Sequence, residues 1–430
     1  MIMARVYISF LGTNDYLSCT YFHEENEIQD IRFVQEATLN FFCKTWKPED
    51  HIIIFTTEEA NRKNWQDNGH GQPCKGLESC IKDLNLDAQI TPVPIPAGKS
   101  EAEIWNIFSI VYELLHPNDE VIFDITHAFR SIPMLAIVIL NYAKVMKNIT
   151  LKGIYYGAFE VLGSIRDAKK IPLPERRVPI LDLTAFDQLM EWSFAVDRFL
   201  KAGDAHQISS LAEKSVKPAL MVTKGQDTAA KTIRNMAKNL EEFTKTLSTC
   251  RGRNISMATT RLKQNINQCQ GLELIQPFKP IFDRIKDQMD PFSGDPIADG
   301  IQAAKWCLEH NLVQQSYTIF QETLISYFVI KINEEPEGIN REIATQAAKI
   351  YLGNLPVAQW KSLARTHEKT TRKFLEFYRT KDELIKIYRN LSGDRNDLNH
   401  AGHKPTPMKA DKFSLKLRDY IQKTEQHIML

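Results

Sequence analysis

Strand and helix patterns alternate through the first third of the chain, and this narrows the fold more than any other feature. Apolar, β-branched and aromatic runs occur at residues 6–11, 51–56, 90–95, 121–125 and 151–156, the third interrupted by Pro92 and Pro94. Helical patterns cover residues 28–42, 77–84 and 101–115 between them. The last opens with Ser100 and Glu103 at capping-box spacing and carries Ile104, Trp105, Phe108, Val111 and Leu115 as an apolar stripe. Repetition of this kind predicts a parallel sheet with helices on both faces. Such sheets bind ligands beyond the carboxyl ends of their strands.

Two strand ends carry polar clusters. Gly12, Thr13, Asn14, Asp15 and Tyr16 follow the first strand. Thr126, His127, Ala128, Phe129, Arg130 and Ser131 follow the fourth, and Pro133 then opens a helix. Glycine lets backbone approach a ligand, and the Thr126–Ser131 loop with the helix start behind it suits phosphate binding. For Gly12 alone, an exposed loop is the plainer reading. Gly98-Lys99-Ser100 lacks the upstream glycine of a Walker loop and reads as a helix cap. The helix from Pro133 to Met146 is apolar nearly all round, so it needs cover on two sides. The sheet supplies one; a second copy of the chain or another helix of the same chain supplies the other.

A short strand at 180–183 ends this pattern, and only helices follow. The first has Thr184 and Asp187 as caps and Phe186, Leu189, Met190, Ser193, Val196 and Leu200 as its stripe. Further helices are expected at 301–310, 312–332 and 381–391, with breaks near Gly203, Gly225, Gly252, Gly271, 291–300, 336–338 and 353–356. The expected division is an α/β domain over 1–180, a helical linker region over 181–300 and a helical domain over 301–430.

Lys plus Arg number 54 and Asp plus Glu 53, so no global basic field gathers nucleic acid, and any such site must be local. The seven cysteines form no Cys-x-x-Cys pair, which argues against a disulfide framework and a zinc site. The N-terminus lacks the form of a secretory signal and the longest apolar run is too short to span a bilayer. A cytoplasmic protein with no membrane partner is expected.

The last candidate lies at the end of the final long helix, in Asp394-Arg395-Asn396-Asp397-Leu398-Asn399-His400. On a helix, Asn396 and His400 share a face, with Arg395 on the flank. These side chains suit cleavage of RNA by its own 2′-hydroxyl. Histidine exchanges protons near neutral pH, arginine stabilises charge on the transferring phosphate, and asparagine orients either. The spacing alone is weak, and a polar helix end is its plainer explanation. A basic segment at 361–379, with Phe374, Phe377 and Tyr378 interleaved, suits either an RNA path or a solvated helix face.

Taken in order, Phe10-Leu11-Gly12-Thr13, Ile95-Pro96-Ala97-Gly98-Lys99-Ser100, Asp124-Ile125-Thr126-His127-Ala128-Phe129-Arg130-Ser131-Ile132-Pro133, Leu181-Asp182-Leu183-Thr184 and Arg395-Asn396-Asp397-Leu398-Asn399-His400 form a familiar series. The chain resembles the CRISPR-associated ribonucleases of type III systems, which join a CARF sensor domain to a HEPN nuclease domain. The resemblance is thinnest from 207 to 300. It implies a Rossmann-like sensor that dimerises and binds a cyclic oligoadenylate, cyclic tetra-adenylate being the ring size expected of this branch. It also implies paired HEPN domains that cleave single-stranded RNA with no metal or other cofactor, leaving a 2′,3′-cyclic phosphate and a 5′-hydroxyl. Arg395, Asn396 and His400 would then be catalytic, and Gly12 to Tyr16 with Thr126, His127, Arg130 and Ser131 would contact the activator. Asn14 and Ala97 depart from the pattern, where a second glycine and an acidic residue are expected; both bear on activator choice. Two alternatives stay open: a sensor that cuts nothing, and a sensor that also cleaves its own activator.

Overall fold

The computed structural model describes residues 4–127, 132–270 and 279–428. Residues 1–188 and 189–430 form two compact units.

The first unit is built on one eight-stranded sheet. Its strands are β1 (Arg5–Leu11), β2 (Cys19–His23), β3 (Asn26–Ile31), β4 (His51–Thr56), β5 (Gln89–Pro94), β6 (Glu120–Asp124), β7 (Thr150–Gly157) and β8 (Arg177–Asp182). They lie in the order β3-β2-β8-β7-β6-β1-β4-β5. Pairs β4–β1, β1–β6, β4–β5, β6–β7 and β2–β8 are parallel; β2–β3 and β7–β8 are antiparallel. The prolines of β5 sit on an edge strand, where a missing N–H forfeits no ladder bond. The opposite edge, β3, is polar and largely exposed, which discourages pairing with another sheet.

The helices of this unit are α1 (Val34–Phe42), α2 (Glu58–Ala60), α3 (Leu77–Asp83), α4 (Glu101–Leu114), α5 (Ile132–Lys147) and α6 (Ile165–Ala168); α7 (Thr184–Ala202) leads out of it. Successive side chains of a strand point to opposite faces, and both faces here are covered. Ile8, Phe10 and Phe123 pack with Ile107 and Val111 of α4 and Ile139, Leu140 and Ala143 of α5. Tyr7, Leu11, Ile52 and Ile54 pack on the other side with Leu39 of α1, Trp46, and Leu77 and Ile81 of α3.

Three expectations need correction here. The helix expected over 28–42 begins only at Val34, because residues 19–31 form the β2–β3 hairpin. Its turn is Glu24-Glu25, with Glu24 at φ 51°, and neither residue advertises a tight turn as Asn-Gly would. Trp105 stands exposed while Ile107 is buried, so the α4 stripe is rotated from the expected one. The Ser100 hydroxyl does accept from Glu103 N–H, but the Glu103 carboxylate reaches back to the Lys99 N–H.

The second unit is wholly helical among its described residues. After α7 come α8 (His206–Val222), α9 (Thr228–Ser248), α10 (Ile255–Gln270), α11 (Lys279–Met289), α12 (Pro296–Glu309), α13 (Val313–Lys331), α14 (Ile339–Gly353), α15 (Ser362–Thr366), α16 (Glu368–Thr380), α17 (Asp382–Asn399) and α18 (Ala410–Ile428). The starts of α9 and α12 are set by capping side chains. Asp227 accepts from Ala230 N–H, and Asp295 from Ile297 and Ala298 N–H with Pro296 at the first helical position. The helix expected from residue 301 therefore begins five residues earlier. On α7 the buried face is Trp192, Ala195, Val196 and Phe199, and Phe186 and Phe194 face solvent, so that stripe too is rotated.

Two helices carry the two larger cores of this unit. Ala303, Trp306 and Cys307 of α12 and Ile319 of α13 pack with α7 to α11. Ile301, Ala304 and Leu308, with Tyr317, Phe320 and Leu324, pack with α14, α16, α17 and α18. A helix packed on two sides carries apolar residues around most of its circumference, as α13 does, apart from a short polar face near its start. The aromatic residues of the basic segment belong here as well: Phe374 and Tyr378 are buried and Phe377 packs against the same core. They are not free to stack on bases. No helix among the described residues is long and apolar enough to cross a membrane.

Candidate functional site

The sheet register brings the two predicted loops together. β1 lies between β4 and β6, with Ser9 opposite Asp124, so the chain leaves β1 and β6 side by side at their carboxyl ends. This is the switch point at which open α/β sheets leave a crevice.

Beneath the loops lies a buried polar network. The Asp124 carboxylate accepts from Thr126 N–H at 3.0 Å and Thr126 Oγ1 at 2.5 Å, and from Tyr7 Oη at 3.0 Å and Ser9 Oγ at 3.2 Å. Gln35 Nε2 donates to Ser9 Oγ and the Phe10 carbonyl. Burial pushes the Asp124 carboxyl up, and the Thr126, Tyr7 and Ser9 donors oppose the shift. Thr126 Oγ1 also accepts from Gly157 N–H at 2.8 Å. The threonine at the strand end is thus held from below and from the side.

On this base sit Gly12, Tyr16 and His127. The Tyr16 and His127 rings lie 4.3 Å apart between centroids. A side chain at Gly12 would put its Cβ 2.2 Å from Tyr16 Oη, so glycine here makes room for the ring. Tyr16 Oη and His127 Nε2 are both enclosed; a Gly12 backbone hydrogen bond acts on Tyr16 Oη, and His127 Nε2 has no hydrogen-bond partner among the described residues. Burial drives His127 down to about 4, so at neutral pH it is an uncharged ring, not a cationic phosphate holder. Asn14 and Asp15 serve the loop itself. Asn64 Nδ2 donates to the Gly12 and Asn14 carbonyls, each at 2.9 Å, and Asp15 pairs with Arg32 at 3.1 Å. Thr13 is half-buried. Arg130 and Ser131 lie outside the described residues.

Sequence reading missed Tyr7, Ser9, Gln35 and Asn64 in this site. Ser9 carried a signal, a polar residue inside an otherwise apolar strand. Asn64 carried none, since it meets the loop from 52 and 50 residues away.

In the second unit, α17 continues past the expected helix end through the motif. His400 follows its last residue, and its N–H still bonds to the Asn396 carbonyl at 3.0 Å. Asn396 and His400 are exposed one turn apart, and Arg395 is half-buried beside them. The acids around Arg395 are turned away from it. Asp394 accepts from Tyr420 Oη at 2.9 Å and pairs with Lys416 at 3.3 Å. Asp397 accepts from Met408 N–H and Lys404 Nζ, both at 2.8 Å, and the ion pair holds its carboxyl below the usual range. Both carboxylates are buried. Arg395 is left with one partner among the described residues, Thr318 Oγ1, which accepts from Nε at 3.3 Å. A guanidinium with no carboxylate on it keeps its charge and forked donors for an incoming anion.

Comparison with known proteins agrees with this architecture. Residues 6–160 match the CARF domain of the CRISPR system endoribonuclease Csx1, and residues 188–293 match the second domain of CRISPR-associated protein MJ1674. The chain is 33% identical over 156 residues to CRISPR-associated protein MJ1674 of Methanocaldococcus jannaschii. That span is 36% of this chain and 23% of the relative. With the sheet open at its switch point and the Csx1 match over it, residues 6–160 are a CARF domain, and across this domain and the next the chain is similar to CRISPR-associated proteins.

Proposed function

We propose that this protein is an endoribonuclease of type III CRISPR defence, switched on when its CARF domain binds a cyclic oligoadenylate, with cyclic tetra-adenylate as the ring. On this reading the helical unit is a HEPN nuclease, two chains pair to complete the site, the substrate is single-stranded RNA, and the protein acts in the cytoplasm. The observation that carries it is Arg395: half-buried, free of carboxylate, and next to exposed Asn396 and His400. The match of residues 6–160 to a domain of an endoribonuclease supports it.

The chemistry needs only side chains. One His400 imidazole removes the proton of the 2′-hydroxyl, and the 2′-oxygen attacks the adjacent phosphorus. The bond from phosphorus to the 5′-oxygen breaks, and that oxygen takes a proton from the imidazolium of the second chain. Arg395 stabilises charge on the non-bridging oxygens as it builds, and Asn396 orients phosphate or imidazole. The products are a 2′,3′-cyclic phosphate and a 5′-hydroxyl. A fluorogenic RNA assay with and without cyclic tetra-adenylate, in EDTA, tests the whole reading. Cleavage that ignores the activator refutes the sensor assignment, and no cleavage under any activator refutes the nuclease.

A second activity, slow cleavage of the activator within the CARF domain, is favoured by one observation. His127 Nε2 lies enclosed against the Tyr16 ring without a hydrogen-bond partner among the described residues. Linear products after incubation with activator alone decide it.

A further inference from the structure

The role of Arg395 above leaves open what aims it. A guanidinium on a long, flexible stem must be held if it is to meet a phosphorane without reorganising. Its neighbours on α17 do not hold it, since Asp394 and Asp397 bond elsewhere. The contact comes from α13, 77 residues away in sequence, where Thr318 Oγ1 accepts from Arg395 Nε.

Thr318 is part of a short polar face on α13 that touches the motif twice. Gln314, one turn earlier, donates through Nε2 to Asn399 Oδ1 at 3.2 Å. Gln315 Nε2 donates to the Ser248 carbonyl at the end of α9, at 3.4 Å. Cys250 follows, and its thiol is pushed up by burial while the Thr318 hydroxyl and the Arg395 charge oppose the shift. Thr318 therefore stands where the motif helix and the α9–α10 corner meet on α13. The helix itself is fixed on both sides, with Tyr317, Ile319 and Phe320 fully buried. The hydroxyl that meets Arg395 is carried by one of the most constrained helices in the unit.

We infer that Thr318 is the positioning residue for Arg395 in RNA cleavage, a role that rests on the nuclease reading above. By accepting at Nε, it fixes the plane of the guanidinium and leaves the two terminal nitrogens for phosphate oxygens. It touches no substrate, so its removal should slow turnover more than it weakens RNA binding.

The test uses full-length protein with activator and a fluorogenic RNA, comparing wild type, His400→Ala, Thr318→Val and Thr318→Ser. Valine keeps the shape and removes the acceptor. We expect kcat of Thr318→Val to fall roughly tenfold or more, on the scale of a lost hydrogen bond to a charged group, with KM little changed, and Thr318→Ser to retain most of the rate. Thermal melting reports folding; should Thr318→Val not fold, Thr318→Ala carries the same comparison with serine. Wild-type kcat in the valine or alanine variant, a loss confined to KM, or a serine variant as slow as valine overturns the inference. If His400→Ala cleaves as fast as wild type, the nuclease reading itself fails. If His400→Ala is dead and Thr318→Val is unimpaired, only the Thr318 role fails.

Discussion

The Tyr16 ring lies against His127, centroids 4.3 Å apart, and the two close over the place a Gly12 side chain would occupy. An alanine at 12 would bring its Cβ within 2.2 Å of Tyr16 Oη and force that ring off His127. Gly12→Ala is expected to cost about 1–3 kcal/mol as overpacking and to raise the activator concentration needed for half-maximal cleavage. Paired thermal melts and activator titrations check it, and an unchanged titration removes Tyr16 from the sensor.

The same pair predicts a pH dependence of stability. His127 falls to about 4 in the folded chain, from 6.5 unfolded. Between those values the unfolded chain binds more protons, so stability is present above pH 6.5 and is lost as pH falls toward 4. The loss from this one group reaches about 2 kcal/mol at pH 5. His127→Gln should flatten that part of the curve. Urea unfolding of both proteins at pH 5 and pH 8 measures it; parallel curves show that His127 is solvated.

Asp124 should be less tolerant of truncation than of neutralisation. Alanine removes the shared acceptor of Thr126 Oγ1, Tyr7 Oη and Ser9 Oγ, at a cost of about 2–4 kcal/mol. Asparagine keeps one acceptor oxygen and, given how burial already disfavours the charge, should cost less than half as much. Denaturant melts of both variants order them, and the reverse order would mean the carboxylate charge itself is required.

Much of this was readable in advance, for physical reasons that also mark the failures. The five apolar strands and the cap at Ser100 depend on local pattern, and they stand within a residue or two of the expected places. The β2–β3 hairpin depends on pairing β2 with β8, some 157 residues apart at Thr20 and Arg177, and no local period encodes that. The stripes on α4 and α7 were placed by counting apolar residues, yet which of them is covered depends on the partner helix. The Arg395, Asn396 and His400 group was visible as spacing. Its support was not, because Thr318 and Tyr420 come from other helices and Met408 from the loop before α18. Two acids in the motif, Asp394 and Asp397, are its buried anchors, a role that spacing does not encode.

On the proposed nuclease reading, His400→Ala should lower RNA cleavage by roughly 10²-fold or more, as loss of a general acid–base does, while activator affinity stays near wild type. Arg395→Lys should not rescue Arg395→Ala, since an ammonium lacks both the Nε–H that Thr318 accepts and the fork that spans a phosphate. Cleavage rates and activator binding by calorimetry separate the two sites. A lysine variant at wild-type rate would reduce Arg395 to a point charge.

Pairing of two chains gives the last prediction. α5 buries Ile139, Leu140 and Ala143 on the sheet, yet Val138, Tyr142, Val145 and Met146 remain exposed, Val145 at 76%, with Trp105 of α4 exposed nearby on the same face of the sheet. Phe108 and Tyr112 of α4 cover only part of Tyr142. A continuous apolar strip of this kind marks an interaction surface, and a second copy is the occupant the proposed nuclease requires. Val145→Glu puts a charge in the middle of that strip without touching either core, so folding should survive. Sedimentation should show the variant as a monomer, and activator-dependent cleavage should be lost with it. A variant that sediments as wild type does places the interface elsewhere, and a fully active monomer removes the need for a shared site.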